Sequence, residues 1–280
     1  MGNNKVWFIT GASKGLGLEL AKKLLAEGFK VAATSRSEDA LIKVLGNTSD
    51  NFLPLEMDLV DEKSVKNAID KTIRYFKTID VLVNNAGYGL LGALEELTDA
   101  EARKNYEVNV FGLLNVIRHT MPILRANQSG HIFNISSVGG YYGEFPGWGI
   151  YCSTKFAVAG LTESLAAEIK PFGVHATIVY PGYFRTDFLK DSSLLLPETP
   201  IAEYKEVRQS ENAHKEGING NQPGDPIKLA EALIKVSQDQ NPPLHLFLGE
   251  DAFNMANQKI ASVQSELGQW KEVSVGTNFN

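Results

Sequence analysis

Short apolar runs alternate along the chain with longer stretches in which apolar residues recur every three or four positions. The short runs are apolar almost throughout, which is typical of strands buried on both faces of a parallel sheet. The longer stretches have the spacing of one helix face, as Leu16, Leu20 and Leu24 show in the first of them. Strands are predicted at residues 6–9, 31–34, 52–55, 81–83, 132–135, 176–179 and 244–248, and the clearest helices at 16–27, 64–76, 100–124 and 156–169.

This alternation predicts a single α/β domain of the Rossmann type, a doubly wound parallel sheet of about seven strands with helices on both faces. A chain of 280 residues fits one large domain of this kind. Residues 185–226 interrupt the alternation of strands and helices, because leucines at 194–196 are followed by a polar segment containing glycine and proline. Long insertions in compact domains often close over binding sites, so we expect a substrate-binding lid here; the alternative is a surface excursion.

Composition and charge narrow the possible partners and compartment. The chain is 43% hydrophobic and 21% charged, and its net charge of −6 comes with no basic block, which argues against nucleic-acid binding. Its single cysteine, Cys152, permits no intrachain disulfide, fits a reducing compartment and is interpreted as a packing residue rather than a nucleophile. Since the sequence has neither an apolar signal core nor a stretch of membrane-spanning length, we expect a cytoplasmic protein with no membrane partner.

The histidines give no indication of a metal site. They are scattered and lack the spacing of metal ligands, so we expect no bound metal. They stand at His119, His131, His175, His214 and His245.

A glycine-rich turn links the first predicted strand to the first predicted helix. It reads Thr10-Gly11-Ala12-Ser13-Lys14-Gly15-Leu16-Gly17. Such a turn brings backbone close to a pyrophosphate, and the helix N-terminus adds unpaired N–H groups and a partial positive charge. Gly11 permits the tight turn, while Gly15 and Gly17 clear space for a cofactor and for close helix packing. The turn therefore predicts dinucleotide binding.

Two basic residues favour NADP over NAD. Sites that select NAD place a carboxylate near the end of the second strand, where it holds the ribose 2′-hydroxyl. Here that strand is followed by Ser35 and Arg36, and Arg36 is placed to pair with a 2′-phosphate that Lys14 can also reach. Each charge-assisted hydrogen bond contributes roughly 1.5–3 kcal/mol, so two such contacts predict a strong preference for NADP(H).

Tyr151 and Lys155 stand four residues apart at the opening of a helical stretch, so both side chains lie on one face. Hydride transfer to a carbonyl carbon builds negative charge on the oxygen, which requires a proton donor. A neighbouring ammonium favours a tyrosine phenolate and lowers the tyrosine pKa. We therefore expect Tyr151 to act as the acid in reduction and as the base in alcohol oxidation.

With these residues in view, the chain resembles the short-chain dehydrogenase/reductase family in its branch of ordinary length. The resemblance covers nearly the whole chain and weakens after about residue 190. The matching segments are the glycine turn, Asp58-Leu59, Asn84-Asn85-Ala86-Gly87, Asn109, Ser136-Ser137, Tyr151 with Lys155, and Pro181-Gly182 with Thr186.

The family resemblance assigns further cofactor contacts. It implies that Asp58 and Leu59 contact the adenine and that Asn85, Ala86 and Gly87 line the cofactor. The segment Pro181-Gly182-Tyr183-Phe184-Arg185-Thr186 would hold the nicotinamide, with backbone groups and Thr186 fixing its carboxamide.

The resemblance also implies the remaining catalytic residues. Ser137 would hydrogen-bond the substrate oxygen, with Ser136 as its competitor for that role. The interval from Ser137 to Tyr151 is one residue longer than is usual in the family, and the turn around residues 143–145 is expected to absorb it. Asn109 would break a helix locally and hold a water that links Lys155 to solvent, and Lys155 would also bind the nicotinamide ribose.

The substrate pocket is expected above the nicotinamide, at the carboxyl ends of the strands. Its predicted walls are rich in aromatic and apolar groups, so we expect a medium-sized hydrophobic ketone, aldehyde or alcohol. They comprise Tyr88, Leu90, Leu91, Tyr141, Tyr142, Phe145, Trp148, Tyr183, Phe184, Phe188 and Leu194, Leu195 and Leu196.

Residues 224–252 resemble, more weakly, a subgroup of bacterial-type reductases that is similar in sequence to 17β-hydroxysteroid dehydrogenases. The family resemblance further implies a homodimer or homotetramer that pairs through the helices starting near residues 100 and 151. Two alternatives remain open from the sequence. One is an NADP-linked epimerase or dehydratase, which the glycine spacing disfavours; the other is an NADP-binding regulator without turnover.

Overall fold

A sheet of seven parallel strands forms the centre of the protein, which the computed structural model describes from residue 4 to residue 279. The strands within this range are β1 (Val6–Ile9), β2 (Lys30–Ser35), β3 (Phe52–Glu56), β4 (Val81–Asn84), β5 (Gly89–Leu90), β6 (Gly130–Ile135), β7 (Val174–Pro181), β8 (Leu194–Leu195) and β9 (His245–Leu248). Strands β5 and β8 pair separately, and the central sheet has the order β3-β2-β1-β4-β6-β7-β9. The predicted doubly wound sheet is thus confirmed.

Helices connect the strands and cover both faces of the sheet. They are α1 (Gly15–Ala26), α2 (Glu38–Leu45), α3 (Glu62–Phe76), α4 (Asp99–Tyr106), α5 (Leu113–Asn127), α6 (Gly149–Ile169), α7 (Lys205–Asn212), α8 (Pro226–Val236), α9 (Glu250–Gln269) and α10 (Lys271–Val275). The stretch predicted as one helix at 100–124 is α4 and α5, joined through a π-helical segment, Glu107–Gly112. None of the helices within residues 4–279 is long and apolar enough to cross a membrane.

The core consists of two apolar layers, one on each face of the sheet. Successive residues of a strand point to opposite faces, so Phe8 packs in one layer and Trp7 in the other. Helices α3, α5 and α6 cover the layer around Phe8, and α1, α2 and α8 cover the layer around Trp7. Because the inner strands are covered on both sides, their sequences are apolar almost without interruption.

Residues 185–226 form an ordered excursion beyond the carboxyl edge of the sheet. Strand β8 pairs in parallel with β5, and α7 continues into a second π-helical segment, Ala213–Ile218. Leu189, Leu194 and Val207 of this excursion pack with Trp148 and Tyr151 in a separate apolar cluster. The excursion therefore covers the start of α6, where the predicted proton donor lies.

Candidate active site

The carboxyl ends of β1, β4, β6 and β7 open into one cavity of about 560 Å³. Strand β1 lies between β2 and β4 at the point where the strand order reverses, which is where open α/β sheets bind ligands. All but two of the predicted site residues line this cavity: Gly11, Ser13, Lys14, Gly15, Leu16, Arg36, Asp58, Leu59, Asn85, Ala86, Gly87, Ser137, Tyr151, Lys155, Pro181, Gly182, Phe184 and Thr186. Gly17 and Asn109 lie behind its wall and support residues that form it.

The glycine turn is packed tightly against the segment that follows β4. Gly11 has φ +67°, and a Cβ there would come within 2.9 Å of Ala86 Cα. The Thr10 hydroxyl accepts hydrogen bonds from the backbone N–H groups of Asn85 and Ala86, both at 3.0 Å. The Asn85 amide in turn donates to the carbonyls of Thr10 (2.9 Å) and Gly11 (3.0 Å). The turn is therefore held in shape by the segment that follows β4.

The N-terminus of α1 fits an anionic group. Lys14, the N-cap residue, makes no side-chain capping bond, and the first turn of α1 contains no acidic residue. Gly15 and Leu16, which begin the helix, line the cavity. The first N–H groups of a helix have no partner within it, so these donors and the helix dipole suit the pyrophosphate of a dinucleotide.

Lys14 and Arg36 bring two cations together at the cavity. Burial and the nearby Arg36 charge lower the pKa of Lys14, against an opposing effect of Asp187. The Lys14 ammonium donates to the backbone carbonyl and hydroxyl of Ser192, at 2.9 and 3.1 Å. Arg36 is exposed, and its guanidinium has no hydrogen-bond or ion-pair partner among the described residues. The pair leaves positive charge for which an anion is the natural partner.

Tyr151 and Lys155 lie buried on one face of α6, as their spacing predicted. The Lys155 ammonium donates to the Ile135 carbonyl at 2.8 Å and stands 5.8 Å from the centre of the Tyr151 ring. Burial lowers the pKa of Lys155 to about 8. Its charge is thereby disfavoured, and its nearest acceptor is a backbone carbonyl.

The pKa of Tyr151 shifts in the direction opposite to the one expected from Lys155 alone. Burial raises it, and a hydrogen bond with Ser137 only partly opposes that effect. Taking the phenolate out of water is costly, and this desolvation is the largest cause of the shift. Tyr151 is consequently held in its protonated form, the form that a proton donor needs.

The two serines after β6 have different surroundings. The Ser136 hydroxyl is buried and donates to the Lys155 carbonyl at 2.8 Å. The Ser137 hydroxyl accepts from the Gly139 N–H at 3.1 Å and is the partner of Tyr151 in the cavity. Of the two, Ser137 is placed beside Tyr151, whereas Ser136 ties α6 to the end of β6.

Asn109 lies in the π-helical segment, so the helix is irregular at the predicted position. Its amide donates to the Tyr88 carbonyl at 3.0 Å and to the Thr154 hydroxyl at 3.2 Å, and its oxygen accepts from the Tyr88 N–H at 3.1 Å. A Cβ on Gly87 would lie 3.0 Å from this oxygen and 3.5 Å from the Lys155 ammonium. Asn109 thus fixes the segment after β4 beside Lys155, and its water-holding role stays a prediction.

Beyond Tyr151 the cavity has a largely aromatic wall. From the predicted set it includes Tyr88, Phe145, Trp148, Tyr183, Phe184, Phe188 and Leu195. Other members of that set do not reach it: Tyr141 packs on Tyr180 and Phe247, Tyr142 bonds Glu144, and Leu90, Leu91, Leu194 and Leu196 pack behind the wall. The apolar character expected of the pocket nevertheless holds.

The sequence did not indicate His214, which the excursion brings into the cavity wall. Its Nδ1 donates to the Ser210 carbonyl at 2.7 Å, so Nε2 is left to accept from the Tyr183 hydroxyl at 3.0 Å. Burial lowers the pKa of His214. No local motif marks this residue, because only the path of the excursion places it near Trp148 and Tyr183.

The sequence analysis also considered Cys152 and possible metal ligands. Burial raises the pKa of the Cys152 thiol to about 11, which suits a packing residue and not a nucleophile. Within residues 4–279, no cluster of three or more histidine, cysteine or acidic side chains is arranged to hold a metal ion.

Comparison with known proteins identifies the family. The model of the short chain dehydrogenase family matches residues 5–194. The chain is 34% identical over 274 residues to the oxidoreductase BOA17 of Botryotinia fuckeliana, covering 98% of this chain and 99% of that protein. It is 33% identical over 258 residues to human 17-beta-hydroxysteroid dehydrogenase type 1, covering 88% and 77% respectively.

Solved structures agree with this relationship. A short-chain dehydrogenase from Streptomyces avermitilis superposes with a TM-score of 0.89 at 36% identity, covering 98% of this chain and all of that one. ElxO with NADP bound has a TM-score of 0.73 at 27% identity, covering 90% and 99%. A 3-ketoacyl-(acyl-carrier-protein) reductase from Brucella melitensis complexed with NADH has a TM-score of 0.73 at 26% identity, covering 89% and 98%.

The protein therefore belongs to the short-chain dehydrogenase/reductase family. It is an oxidoreductase of the kind that acts on alcohol or carbonyl groups of small molecules with a nicotinamide cofactor. The similar structures bind NADH in one case and NADP in another, so the cofactor choice has to be argued from this chain's own residues.

Proposed function

We propose that the protein is an NADP(H)-dependent carbonyl reductase, or alcohol dehydrogenase in the reverse direction, in which Tyr151 is the general acid and base. The convergence of Tyr151, Ser137 and Lys155 with the glycine turn in one cavity carries the proposal. This places a proton donor and a cofactor cradle at the same edge of the sheet, as hydride transfer to a carbonyl requires. A cytoplasmic location remains part of the proposal.

In this proposal the cofactor would be held by the glycine turn, the α1 N-terminus, Asp58, Leu59, residues 85–87 and residues 181–186. Lys14 and Arg36 would contact its 2′-phosphate. When bound, the reduced nicotinamide supplies the hydride. The Ser137 hydroxyl donates to the substrate carbonyl oxygen and orients it toward Tyr151, which is already protonated because it is buried. Tyr151 then gives its proton to that oxygen as negative charge develops there.

Lys155 supports this step from the far side of the tyrosine. Its ammonium lies 5.8 Å from the Tyr151 ring centre and stabilises the phenolate that remains after proton transfer. Asn109 and Gly87 lie beside Lys155, which supports proton return through a water held at Asn109. In alcohol oxidation the same groups act in reverse.

The substrate is proposed to be a medium-sized hydrophobic ketone, aldehyde or alcohol. The cavity wall beyond Tyr151 contains Phe145, Trp148 and Phe188, which favour apolar surface near the reacting carbon. Residues 185–226 act as a lid in this proposal, because Leu189 and Val207 pack with Trp148 and Tyr151 and exclude water from them.

The test is NADPH oxidation against a panel of hydrophobic ketones and aldehydes, run on the wild type and on Tyr151→Phe. We expect turnover in the wild type and a loss of at least about a hundredfold in the variant, since the proton donor is gone. NADPH binding, measured by fluorescence titration, should be unchanged. Retained turnover in Tyr151→Phe would overturn the mechanism, and NADPH binding without turnover of any substrate would favour a regulator.

A further inference from the structure

A hydrogen-bonded pair of side chains, Tyr183 and His214, interrupts the apolar wall of the cavity beyond Tyr151. Both residues line the cavity, and the Tyr183 hydroxyl lies 3.0 Å from His214 Nε2. Trp148 and Phe188 form part of the same wall. The proposed reaction assigns no role to either side chain of the pair. Because a few polar groups in an apolar pocket usually fix the orientation of a ligand, the pair is a candidate for substrate recognition.

The pair is held in the part of the wall that surrounds Tyr151. The Tyr183 backbone N–H donates to the Asp251 carboxylate at 2.6 Å. The His214 ring packs on Trp148, with centroids 4.9 Å apart, and Trp148 packs on Tyr151, with centroids 5.4 Å apart. Burial is the main cause of the raised pKa of Tyr151, and Tyr183 is close enough to contribute to it. A group bound at Tyr183 therefore lies near the reacting carbonyl.

The direction of the hydrogen bonds within the pair follows from the Ser210 carbonyl. A carbonyl oxygen only accepts, so His214 Nδ1, which lies 2.7 Å from it, carries the ring proton. In a neutral imidazole the other nitrogen then only accepts, so the Tyr183 hydroxyl donates to His214 Nε2. Since a hydroxyl has one hydrogen, the Tyr183 oxygen can offer a ligand only its lone pairs.

Both members of the pair are uncharged near neutral pH. Burial lowers the pKa of His214, and burial is also the main reason that the pKa of Tyr183 is raised to about 12. A charged substrate group would lose its hydration here without gaining a counter-charge from the pair. The group that matches the Tyr183 oxygen is therefore a neutral hydrogen-bond donor, for which a hydroxyl is suitable.

We propose that Tyr183 is a specificity-determining residue that accepts a hydrogen bond from a hydroxyl of the substrate, and that His214 is the positioning residue that sets the direction of this bond. The substrate is then a hydroxyketone with its hydroxyl close to the carbonyl. On reduction the carbonyl carbon gains the hydride and its oxygen gains the Tyr151 proton, so the product is a diol. This inference rests on the proposed function, because it assigns the substrate class of the same site.

The first experiment compares phenyl alkyl ketones that carry a hydroxyl on the first or the second carbon from the carbonyl with their methyl ethers. A methyl ether keeps the oxygen but has no hydrogen to donate. For at least one of these positions, we expect wild-type kcat/KM to be about tenfold higher for the hydroxyl compound than for its ether.

This ratio of kcat/KM values should fall to near one in Tyr183→Phe. It should stay near the wild-type ratio in Tyr141→Phe, the matched control, because the Tyr141 ring packs on Tyr180 outside the cavity. The ratio does not depend on the fraction of enzyme that is folded. A wild type without preference for any hydroxyl compound, or a preference that persists in Tyr183→Phe, overturns the proposal.

The positioning role of His214 is tested by changing the direction of the hydrogen bond. In His214→Phe the Tyr183 hydroxyl loses its acceptor and can donate to a ligand, so the ratio of hydroxyl to ether compound should fall to one or below. His214→Gln should recover much of the preference, because its amide can accept from Tyr183 and donate to the Ser210 carbonyl. Equal losses for hydroxyl and ether compounds in His214→Phe, with the ratio unchanged, would contradict this role.

Binding measurements separate this inference from the proposed function. Calorimetry on Tyr151→Phe loaded with NADPH measures the affinity for the same ketones without turnover, and the hydroxyl compounds should bind about tenfold more tightly than the ethers. The further change Tyr183→Phe should abolish this difference. A wild type that shows the binding preference without turnover contradicts the proposed reaction alone. An NADPH dissociation constant about tenfold higher in Tyr183→Phe would mean that this hydroxyl binds the cofactor carboxamide, which would overturn the inference.

Discussion

At the residue scale, the site depends on how burial changes the chemistry of a few side chains. Burial favours the protonated form of Tyr151 and lowers the pKa of Lys155 to about 8. Ser136 and Ser137 are neighbours in sequence, yet one is bonded to the Lys155 carbonyl and the other faces Tyr151. Their different surroundings lead to different expected effects of substitution.

The two serines provide a matched pair of substitutions. Ser137→Ala should lower kcat about a hundredfold with little change in stability, because a donor to the developing oxyanion is lost. Ser136→Ala should lower the free energy of unfolding by about 1 kcal/mol, since it removes a buried hydrogen bond, and should retain more activity. Steady-state kinetics and urea unfolding of both variants check this. The reverse order of effects would make Ser136 the substrate contact.

Lys155 gives a pH dependence with a defined sign. Burial lowers its pKa from 10.5 to about 8, so between these pH values the unfolded chain binds more protons than the folded one. Stability from this group therefore rises with pH across that window, by up to about 3 kcal/mol. Lys155→Met lacks this titration. Urea unfolding at pH 7, 8, 9 and 10 should show the free energy of unfolding of the wild type rising relative to that of the variant. A difference in free energy that stays constant with pH would contradict the lowered Lys155 pKa.

At the element scale, the excursion at 185–226 is fastened to the subunit by the acidic segment before α4. Glu96 is completely buried as a side chain, and its carboxylate accepts from the N–H groups of Ala93 and Ile201, both at 2.7 Å. Arg208 of α7 adds two further bonds, at 2.8 and 3.0 Å. One carboxylate thus ties two points of the excursion to the rim of the cavity.

Glu96→Gln should loosen this attachment. It removes the buried one of the two carboxylates that pair with the Arg208 guanidinium, the other being that of Glu211 at 3.1 Å, and breaking a buried ion pair commonly costs several kcal/mol. We expect a higher KM for the carbonyl substrate, an almost unchanged KM for NADPH and faster hydrogen exchange at residues 198–212. Glu95→Gln is the control, because Glu95 is exposed and bonds only the Tyr204 hydroxyl. Equal exchange in both variants would argue against a lid fastened by Glu96.

At the scale of the whole molecule, the parallel sheet brings distant segments to one edge. Four segments, each at the end of a different strand, meet at the carboxyl ends of the sheet strands. They are the glycine turn, residues 84–87, Ser137 and residues 181–186. A ligand bound there contacts several distant segments of the chain at once. Its binding free energy therefore adds to the stability of the fold.

Cofactor choice should therefore be visible in thermal unfolding. At equal concentrations, NADPH should raise the Tm more than NADH, because Arg36 and Lys14 add charge-assisted contacts to the 2′-phosphate. Arg36→Ala should remove most of that difference. Arg74→Ala, which deletes an exposed cation of α3 away from the cavity, should leave it intact. Equal stabilisation of the wild type by both cofactors would contradict the NADP assignment.

The pattern and motifs of the chain were enough to predict the central sheet, its clearest helices and most of the residues expected at the cofactor end of the cavity. Apolar runs specify strands buried on both faces, and parallel strands necessarily end at a common edge, so motifs at strand ends predict a shared site. The four-residue spacing of Tyr151 and Lys155 likewise sufficed to place both on one face of α6. These features depend on short-range periodicity, which a sequence displays directly.

Features that depend on contacts between distant segments became visible only in the fold. The path of the excursion brings His214 to Tyr183 and Arg208 to Glu96, while Tyr141 turns away to Tyr180 at the sheet edge. The direction of the Tyr151 pKa shift could be seen only once its burial was known, because desolvation is the largest cause of that shift. The exposure of large apolar side chains such as Phe253 and Leu267 on α9 also became evident only in the fold, since apolar residues at this spacing also fit a helix packed on its own subunit.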